Sequence, residues 1–294
     1  MPSSEEPLSP QARQLPGHIA AALTGAGGAT DSAGRPWAGR SLAGEDAKIH
    51  NFGDDDGTAD AGYLAAVAAL RNGVGDEAGV VASLATARVF IPIVAQLAEE
   101  AETDLGLQAD KQADMALVTL KAADGRTALP AFTSAAALTA WHPEARPVAV
   151  YAARAALSAV AEGAELLVLD PGADVTFVVR RPGVWALAKQ HGWTPSYNDQ
   201  ELAAEMGRAA AGFAAVRQIA LLPGRGVAAR AADGSVLPGG GAGPELQVVL
   251  YLEEGLDAAG VQELVSALQV EWSRNVLFGE RVDSLEIKLR RAPD

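Results

Sequence analysis

Short apolar runs alternate with helical patterns along most of the chain, and this alternation limits the fold more than any other feature of the sequence. Residues 115–121 are almost wholly apolar, and the turn pair Asp124-Gly125 separates them from a second run over 127–132. Two such runs around an Asp-Gly pair predict a β-hairpin. Helices and further short strands are predicted on both sides of it. Because strands and helices of this length bury their apolar sides against each other, we predict an α+β fold with mixed sheets packed against helices.

The chain divides into three segments of different character. Residues 1–56 are rich in Pro, Gly, Ser and Ala and show no sustained periodicity, so they are predicted to be a mostly disordered tail. Residues 57–195 and 196–294 are predicted to form two α/β-type domains, which agrees with a length of 294 residues at roughly 150 residues per domain. The segment Trp193-Thr-Pro195 is the predicted boundary between them.

Local patterns in the first domain predict where individual helices and strands begin and end. Thr58 is predicted to cap a helix that buries Tyr63 and Leu70, which recur at helical spacing. Pro92 lies within an apolar strand and therefore predicts an edge strand or a bulge. Gly192 is predicted to end the last helix of this domain.

The second domain contains the clearest helix signals. Asn198 is the predicted N-cap of one helix, and Asp257 is that of another, whose apolar stripe ends at Trp272. Between these helices, the glycine run over 239–243 predicts a flexible loop. The alternate apolar residues of the last strand are predicted to face the core while their neighbours face water: Leu285, Ile287 and Leu289.

Composition excludes several classes of protein. The chain has no cysteine, which excludes disulfides, thiolate nucleophiles and cysteine-held metal clusters. Its net charge of −14 repels phosphate backbones, so nucleic acid is not expected as a partner. No apolar run approaches the roughly 20 residues of a membrane span, so no membrane partner is expected. The first residues lack the pattern of a secretory signal, and the cytoplasm of a bacterium is the expected location.

Three patterns that resemble binding motifs are better explained in other ways. Gly224-Arg-Gly226 matches part of a dinucleotide fingerprint, but Asp233-Gly234 breaks the long helix that such a site requires, so a turn between strands is expected. Asp54-Asp-Asp56-Gly57 resembles a calcium loop without carboxylates at its first and last ligand positions, so its acids are expected to complement a helix N-terminus. The four histidines have no partner at helical spacing. Neither a metal nor a cofactor is therefore expected.

Aromatic and cationic residues mark a candidate contact surface. Trp272 continues an apolar stripe and is expected in the core. Trp185 follows Arg180 and Arg181 closely and could anchor an interface, although core packing of the tryptophan and solvation of the arginines are the simpler expectations. The complete candidate interaction surface lies around two helix starts and consists of Phe132, Thr133, Ser134, Trp141, Arg180, Arg181 and Trp185.

Motifs in both domains resemble a known family. In the first domain they are Met115-Ala-Leu-Val, Leu129-Pro-Ala-Phe-Thr-Ser with Trp141, and Leu167-Val-Leu-Asp-Pro-Gly172; in the second they are Leu246-Gln-Val-Val and Val282-Asp-Ser-Leu-Glu-Ile-Lys-Leu289. Over about residues 58–290 the chain resembles the N-terminal and C-terminal domains of SseB family proteins, from which the long tail and the glycine run depart. The resemblance implies no reaction and no catalytic residues. Some similarly named proteins are secretion translocon components, and others are sulfurtransferases whose nucleophilic cysteine this chain lacks.

Three functions remain open from the sequence. The favoured one is a cytoplasmic binding or accessory protein without catalysis, whose partner is a protein. The second is a hydrolase whose Ser–His–acid triad assembles from distant residues, although the chain has no Gly-x-Ser-x-Gly elbow. The third is a role beside a secretion apparatus or as a toxin-neutralising partner. The sequence sets neither the oligomeric state nor the orientation of the two domains.

Overall fold

In a computed structural model, the chain is described over residues 52, 55–96, 114–122, 124–230, 236–238 and 243–293. Nearly all of the predicted tail over 1–56 lies outside these residues, as does the predicted loop over 239–243 apart from Gly243. Both halves of the chain contain helices and mixed sheets, which confirms the predicted α+β class. No helix within the ranges given is long and apolar enough to cross a membrane.

Both halves contain helices and strands, in places with several strands or two helices in succession. In the first half they are α1 (Ala61–Arg71), α2 (Glu77–Leu84), β1 (Arg88–Gln96), β2 (Asp114–Leu117), β3 (Leu120–Lys121), β4 (Thr127–Ala131), α3 (Ala135–Trp141), β5 (Arg146–Tyr151), α4 (Ala152–Ala161), β6 (Leu166–Leu169), β7 (Phe177–Val179) and α5 (Arg181–Lys189). In the second half they are α6 (Gln200–Ala210), β8 (Val216–Pro223), β9 (Ala228–Arg230), β10 (Val236–Pro238), β11 (Leu246–Leu252), α7 (Ala258–Ser273), α8 (Val276–Arg281) and β12 (Leu285–Arg291).

In the first half, two sheets lie between helices on both sides. One sheet has the strand order β2-β1-β5 and the other β3-β4-β6-β7, and an antiparallel bridge between Phe90 and Phe132 joins them. The side chains of successive residues in β1 point to opposite faces of the sheet. Val89, Ile91 and Ile93 belong to a core shared with α1, α2, α4 and α5, whereas Phe90 packs with Phe132 beside α3.

Helix α1 has the predicted apolar stripe but a different cap. Tyr63 and Leu70 are buried, as the spacing predicts. The N-cap is Asp60 and not Thr58, because the Asp60 carboxylate accepts the backbone N–H of Tyr63 at 2.9 Å. The Thr58 hydroxyl donates instead to Asp56.

Two further helix ends differ from the sequence prediction for similar local reasons. Asp199, not Asn198, caps α6, because its carboxylate accepts backbone N–H groups of the first turn and Asn198 is part of a preceding turn of 3-10 helix. Helix α5 ends at Lys189, and its C-cap is Gln190, which adopts the left-handed backbone conformation with φ of 56°. The helix therefore stops before Gly192.

Strand β1 is central in its sheet, so the prediction that Pro92 marks an edge is wrong. The strand changes partner at this point: Phe90 bridges to Phe132, and pairing with β2 begins at Ile93. Proline has no N–H to donate, and it is tolerated here because it lies between the two partners.

The predicted hairpin is confirmed but is shorter than its apolar runs. Residues 120–121 pair with 127–128 across the Asp124-Gly125 turn, where Gly125 has φ of 85°. Residues 114–117 pair instead with β1. The chain passes from one sheet to the other between β2 and β3, and the two sheets are therefore tied together.

The second half pairs a sheet with a layer of helices. The strand order is β12-β11-β8, with β11 antiparallel to β8 and parallel to β12. Trp272 is 1% exposed, which confirms its predicted place in the core, and Asp257 caps α7 as predicted. Apolar residues of α6, α7 and β11 form one core: Leu202, Met206, Val248, Leu250, Leu268 and Trp272.

Strand β12 follows the predicted alternation only over its first residues. Leu285 and Ile287 pack against the core, but Leu289 is 46% exposed. Glu286, expected in water, is partly buried and pairs with Arg225 at 2.7 Å. The apolar side of this strand is therefore covered at its start and open near its end.

The Gly-x-Gly pair at 224–226 serves close backbone packing. A Cβ atom on Gly224 would lie 2.3 Å from the carbonyl oxygen of Pro244, and one on Gly226 would lie 2.0 Å from that of Gly243. The Gly226 N–H donates to the Pro244 carbonyl at 2.8 Å. Only glycine fits at such an approach. The segment is a single turn of 3-10 helix between β8 and β9, which agrees with the expected turn.

Candidate functional site

The candidate surface residues occupy three separate places. Phe132, Thr133 and Ser134 lie where β4 ends and α3 begins, and Trp141, the last residue of α3, packs against Phe132. Arg180 and Arg181 face the second half of the chain, and Trp185 lies on the outer side of α5. Phe132, Thr133 and Arg180 are buried, and Ser134, Trp141 and Arg181 are half-buried. Trp185 is the exposed member of this set.

Motif residues of the first half meet at the carboxyl ends of two parallel strands. Thr133 follows β4 and Asp170 follows β6, so they emerge side by side. The Thr133 N–H and hydroxyl donate to the two oxygens of the Asp170 carboxylate at 2.8 and 2.7 Å. The rings of Phe132 and Trp141 lie 5.2 Å apart, and Ser134 caps α3. We call these five residues the carboxyl-edge cluster.

Asp170 is the member of this cluster with an unusual backbone conformation. Its backbone has φ of 49°, a left-handed conformation that is uncommon outside glycine, asparagine and aspartate. Burial raises the pKa of its carboxyl group, and the hydrogen bonds from Thr133 oppose that rise. Since both carboxylate oxygens are engaged by Thr133, the arrangement fixes the chain after β6.

Thr133→Val is expected to lower the free energy of unfolding by about 1–3 kcal/mol, because one oxygen of buried Asp170 loses its hydrogen-bond donor. Urea unfolding of the full chain measures the loss. The matched control is Thr139→Val on α3, whose exposed hydroxyl donates only to the carbonyl of Ala135; a change within about 0.5 kcal/mol is expected there. Equal losses in the two variants would contradict a special role for the Thr133 hydroxyl.

Arg88 joins the segment before α1 to the same edge of the sheet. Its guanidinium donates to the Thr133 carbonyl at 2.7 Å and to both oxygens of Asp55 at 2.5 and 2.6 Å, and it lies 4.1 Å from the centre of the Phe90 ring. The hydrogen bond from Arg88 lowers the pKa of Asp55. Asp55 was expected to complement a helix N-terminus, but it forms an ion pair with β1 instead.

The contact between the two halves is built around a buried carboxylate. The Asp283 side chain is 1% exposed, and Arg126 donates to both of its oxygens at 2.8 and 2.9 Å. Arg180 donates to it at 3.0 Å and also to the Gly226 carbonyl at 2.6 Å. We call Arg126, Arg180 and Asp283 the Asp283 cluster. The expectation that Arg180 is solvated is therefore wrong, because its strand end faces the second half.

Arg181 makes a different contact with the second half. Its guanidinium donates to the carbonyls of Gly279 and Val282 at 2.9 and 2.5 Å. These carbonyls lie at the C-terminal end of α8, where backbone acceptors lack partners within the helix and the helix dipole favours a cation. The two adjacent arginines therefore have different partners: Arg180 binds the Asp283 carboxylate, and Arg181 binds the C-terminal end of α8.

Two more carboxylates lie in this contact, and the structure shows no direct ion pair between either of them and another described residue. Glu77, at the start of α2, is 5% exposed and accepts the Tyr197 hydroxyl at 3.1 Å. Burial raises the pKa of Glu77 to about 7. Glu245 is fully buried and accepts the backbone N–H groups of Ser196 and Asp283 at 3.3 and 3.2 Å, and burial raises its pKa as well. The two halves therefore meet through polar groups shielded from water.

The sequence indicates only one side of this contact. Arg180 and Arg181 are candidates because of their charge and position, but no local pattern indicates Arg126, Glu77 or Asp283. Arg126 and Asp283 are separated by 157 positions in the sequence. The only available signal is that Asp283 stands inside a motif that resembles the SseB family, which does not reveal its partner.

The third place occupied by candidate surface residues is the exposed side of two neighbouring helices, where Trp185 lies. Trp185 is 44% exposed, so the expectation that it packs in the core is wrong. The Lys189 ammonium lies 5.3 Å from the centre of its ring. Helices α4 and α5 pack side by side, and Leu157 of α4 is also 44% exposed. We call Leu157, Trp185 and Lys189 the α5 face.

Comparison with protein families assigns the first half. Residues 64–186 match the family model of the SseB protein N-terminal domain. The chain carries an SseB N-terminal domain. The matched range runs from the first turn of α1 into α5, so the SseB domain contains the carboxyl-edge cluster as well as Trp185. Searches of curated proteins and of solved structures find no match.

The SseB match stops before the second half. Arg126 and Arg180 belong to the matched range, whereas Asp283 lies outside it. The resemblance of the second half to the SseB C-terminal domain therefore stays a prediction. The Asp283 cluster connects the SseB domain to that second half.

Polar residues of the SseB domain do not assemble into a metal site within the described ranges. No three His, Asp or Glu side chains there are placed to hold a metal ion. His142 directly follows α3, and its Nδ1 atom is buried with no hydrogen-bond partner among the described residues. His191 follows the end of α5. The other two histidines, His18 and His50, lie outside the described residues.

Proposed function

We propose that this SseB-family chain is a cytoplasmic accessory protein without catalysis, which binds a protein partner through the α5 face. The exposure of Trp185 carries the proposal. The opposite side of α5 is buried through Val184 and Leu187, so the helix is anchored in the core while its tryptophan points to water. Leaving a large apolar side chain exposed forgoes the stabilisation of burial, and tryptophan is among the residues most enriched in binding hot spots.

Neighbouring residues make the α5 face more than a single aromatic ring. Leu157 is a second exposed apolar side chain, on the adjacent helix α4, and the Lys189 ammonium lies near the tryptophan ring. A cation beside an aromatic face is attracted to the ring and restricts its motion. An ordered tryptophan loses less conformational freedom on binding. The face is suited to a partner with an apolar pocket and an acidic rim.

Trp185→Ala is expected to weaken binding to the partner by about 2 kcal/mol, or roughly thirtyfold in Kd, because the central apolar anchor is removed. Tagged wild-type chain recovers candidate partners from the native host, and mass spectrometry identifies them. Each purified candidate is then titrated by calorimetry against the wild type and the variant.

Leu222→Ala provides a matched control, because Leu222 is equally exposed, at 44%, but lies on β8 in the other half. Its Kd is expected to stay within about twofold of the wild type. The proposal fails if both variants bind as tightly as the wild type, or if only Leu222→Ala weakens binding. A pure preparation that hydrolyses small esters would contradict the absence of catalysis.

A further inference from the structure

Strand β12 has one backbone edge that pairs with no other described strand. It lies at the end of its sheet and pairs with β11 on its other side. Just after it, the Ala292 N–H donates to the Leu252 carbonyl at 2.8 Å. Backbone groups alternate in direction along a strand, so those of Arg290 also face β11. The N–H and C=O groups of Ile287 and Leu289 therefore point away from the sheet.

Other described edge strands are short or interrupted. Strands β3, β7, β9 and β10 have two or three residues and β2 has four. Strand β5 contains Pro147, and β8 ends at Pro223 and has an irregular register opposite Leu252. Strand β12 runs for seven residues without a proline or a bulge. Native proteins usually block such edges, so an open one of this length is a place for strand addition.

The side chains of β12 give this edge a basic character. Lys288, Arg290 and Arg291 are all exposed. Glu286 is the acidic residue of the strand and already pairs with Arg225, while Arg291 pairs with Glu254. Lys288 and Arg290 have no acidic partner among the described residues. Lys288 and Arg290 therefore form a positively charged patch in a chain whose net charge is −14.

An apolar side chain accompanies these cations. Leu289 lies between Lys288 and Arg290 in the strand and is 46% exposed, on the face that the helices cover only at the start of β12. A segment added to the edge would place alternate side chains beside the cations on one face and beside Leu289 on the other.

We propose that the open edge of β12 binds an extended acidic segment of a partner protein as an additional strand. The backbone of the segment pairs with Ile287 and Leu289, its carboxylates lie beside Lys288 and Arg290, and its apolar residues cover Leu289. A second copy of this chain is a poorer occupant, because its own β12 brings three cations and one anion to the same basic edge. This site is distinct from the α5 face and does not depend on the function proposed for it.

The test uses the full chain and a defined probe. A fluorescein-labelled octapeptide of alternating glutamate and valine is titrated and its fluorescence anisotropy is recorded. We expect saturable binding that weakens with added salt, and no comparable binding of the matched lysine–valine peptide. Lys288→Glu with Arg290→Glu is expected to weaken binding at least about tenfold. Arg208→Glu with Arg274→Glu, which changes two exposed cations on helices, is expected to leave it within about twofold.

A proline variant separates strand addition from simple charge attraction. Leu289→Pro removes an N–H that points away from β11, so it blocks the edge while leaving the β11 pairing intact. Binding of the acidic peptide is expected to be lost in Leu289→Pro and largely retained in Leu289→Ala. Hydrogen exchange at Ile287 and Leu289 is expected to slow when the peptide is bound to the wild type.

Several results would overturn the proposal. Failure of the wild type to bind the acidic peptide, equal binding of the lysine peptide, or undiminished binding by Leu289→Pro each contradicts strand addition. Sedimentation that shows a dimer in the wild type and a monomer in Leu289→Pro would assign the edge to a second copy instead.

Discussion

Asp283→Asn is expected to lower the free energy of unfolding by about 3 kcal/mol, because it removes the buried negative charge that Arg126 and Arg180 share, while Arg126 keeps its more exposed ion pair with Asp124 at 2.8 Å. Arg126 and Arg180 both donate to this carboxylate, whose exposure is 1%. Asparagine keeps the shape but supplies no charge and only one acceptor oxygen. Urea unfolding at neutral pH, followed by tryptophan fluorescence, measures the change.

Two comparisons test the cause of that loss. Glu271→Gln breaks an exposed ion pair with Arg274 and is expected to cost less than about 1 kcal/mol. In the double variant Asp283→Asn with Arg126→Gln, the loss is expected to be smaller than the sum of the two single losses, because both substitutions break the same ion pair. If Asp283→Asn is no more harmful than Glu271→Gln, the contact between the halves is open to water.

Glu77→Gln is expected to stabilise the protein by about 3 kcal/mol at pH 8 and to have little effect near pH 4. Burial raises the pKa of Glu77 from 4.5 to about 7. The folded state therefore holds a proton that the unfolded state has lost between these values. As pH rises through this window, the wild type loses stability, whereas glutamine stays neutral and can still accept the Tyr197 hydroxyl.

Unfolding free energies of both proteins from pH 4 to pH 8 measure this effect. Glu245, whose pKa is also raised, remains in both, so the difference between the curves reports Glu77. Glu263→Gln on the exposed side of α7 is the control and should follow the wild type. Parallel curves for the wild type and Glu77→Gln would mean that Glu77 is ionised in the folded state.

Local sequence patterns predict much of this fold. The alanine-rich stretch over 152–161 predicts a helix and the apolar run over 166–169 predicts a strand, and α4 (Ala152–Ala161) and β6 (Leu166–Leu169) have these bounds. Helix α7 begins after Asp257, and its stripe ends at buried Trp272. In each case the signal is a capping residue next to the element or a pattern of apolar residues within it. No distant contact is therefore needed to specify the helix or strand.

Features that depend on distant residues are not predicted. Pro92 is central because two different segments pair with one side of β1, and the sequence does not reveal that exchange. Arg180 is buried because Asp283 meets it from the second half. Trp185 is exposed, although a tryptophan on a helix is expected to pack in the core. Its burial depends on which side of α5 faces the sheet, and the sequence does not reveal that side. Short α8 contains Gly279 and lacks a clear apolar period.

The parallel pairing of β11 with β12 imposes an order on folding during synthesis. Antiparallel β8 and β11 can pair as soon as both have left the ribosome, but β12 follows only after α7 and α8 have been made. Until then, one side of the central strand β11 stays open while the SseB domain, made earlier, can already fold. The nascent second half therefore passes through a stage at which one backbone edge of β11 is unpaired.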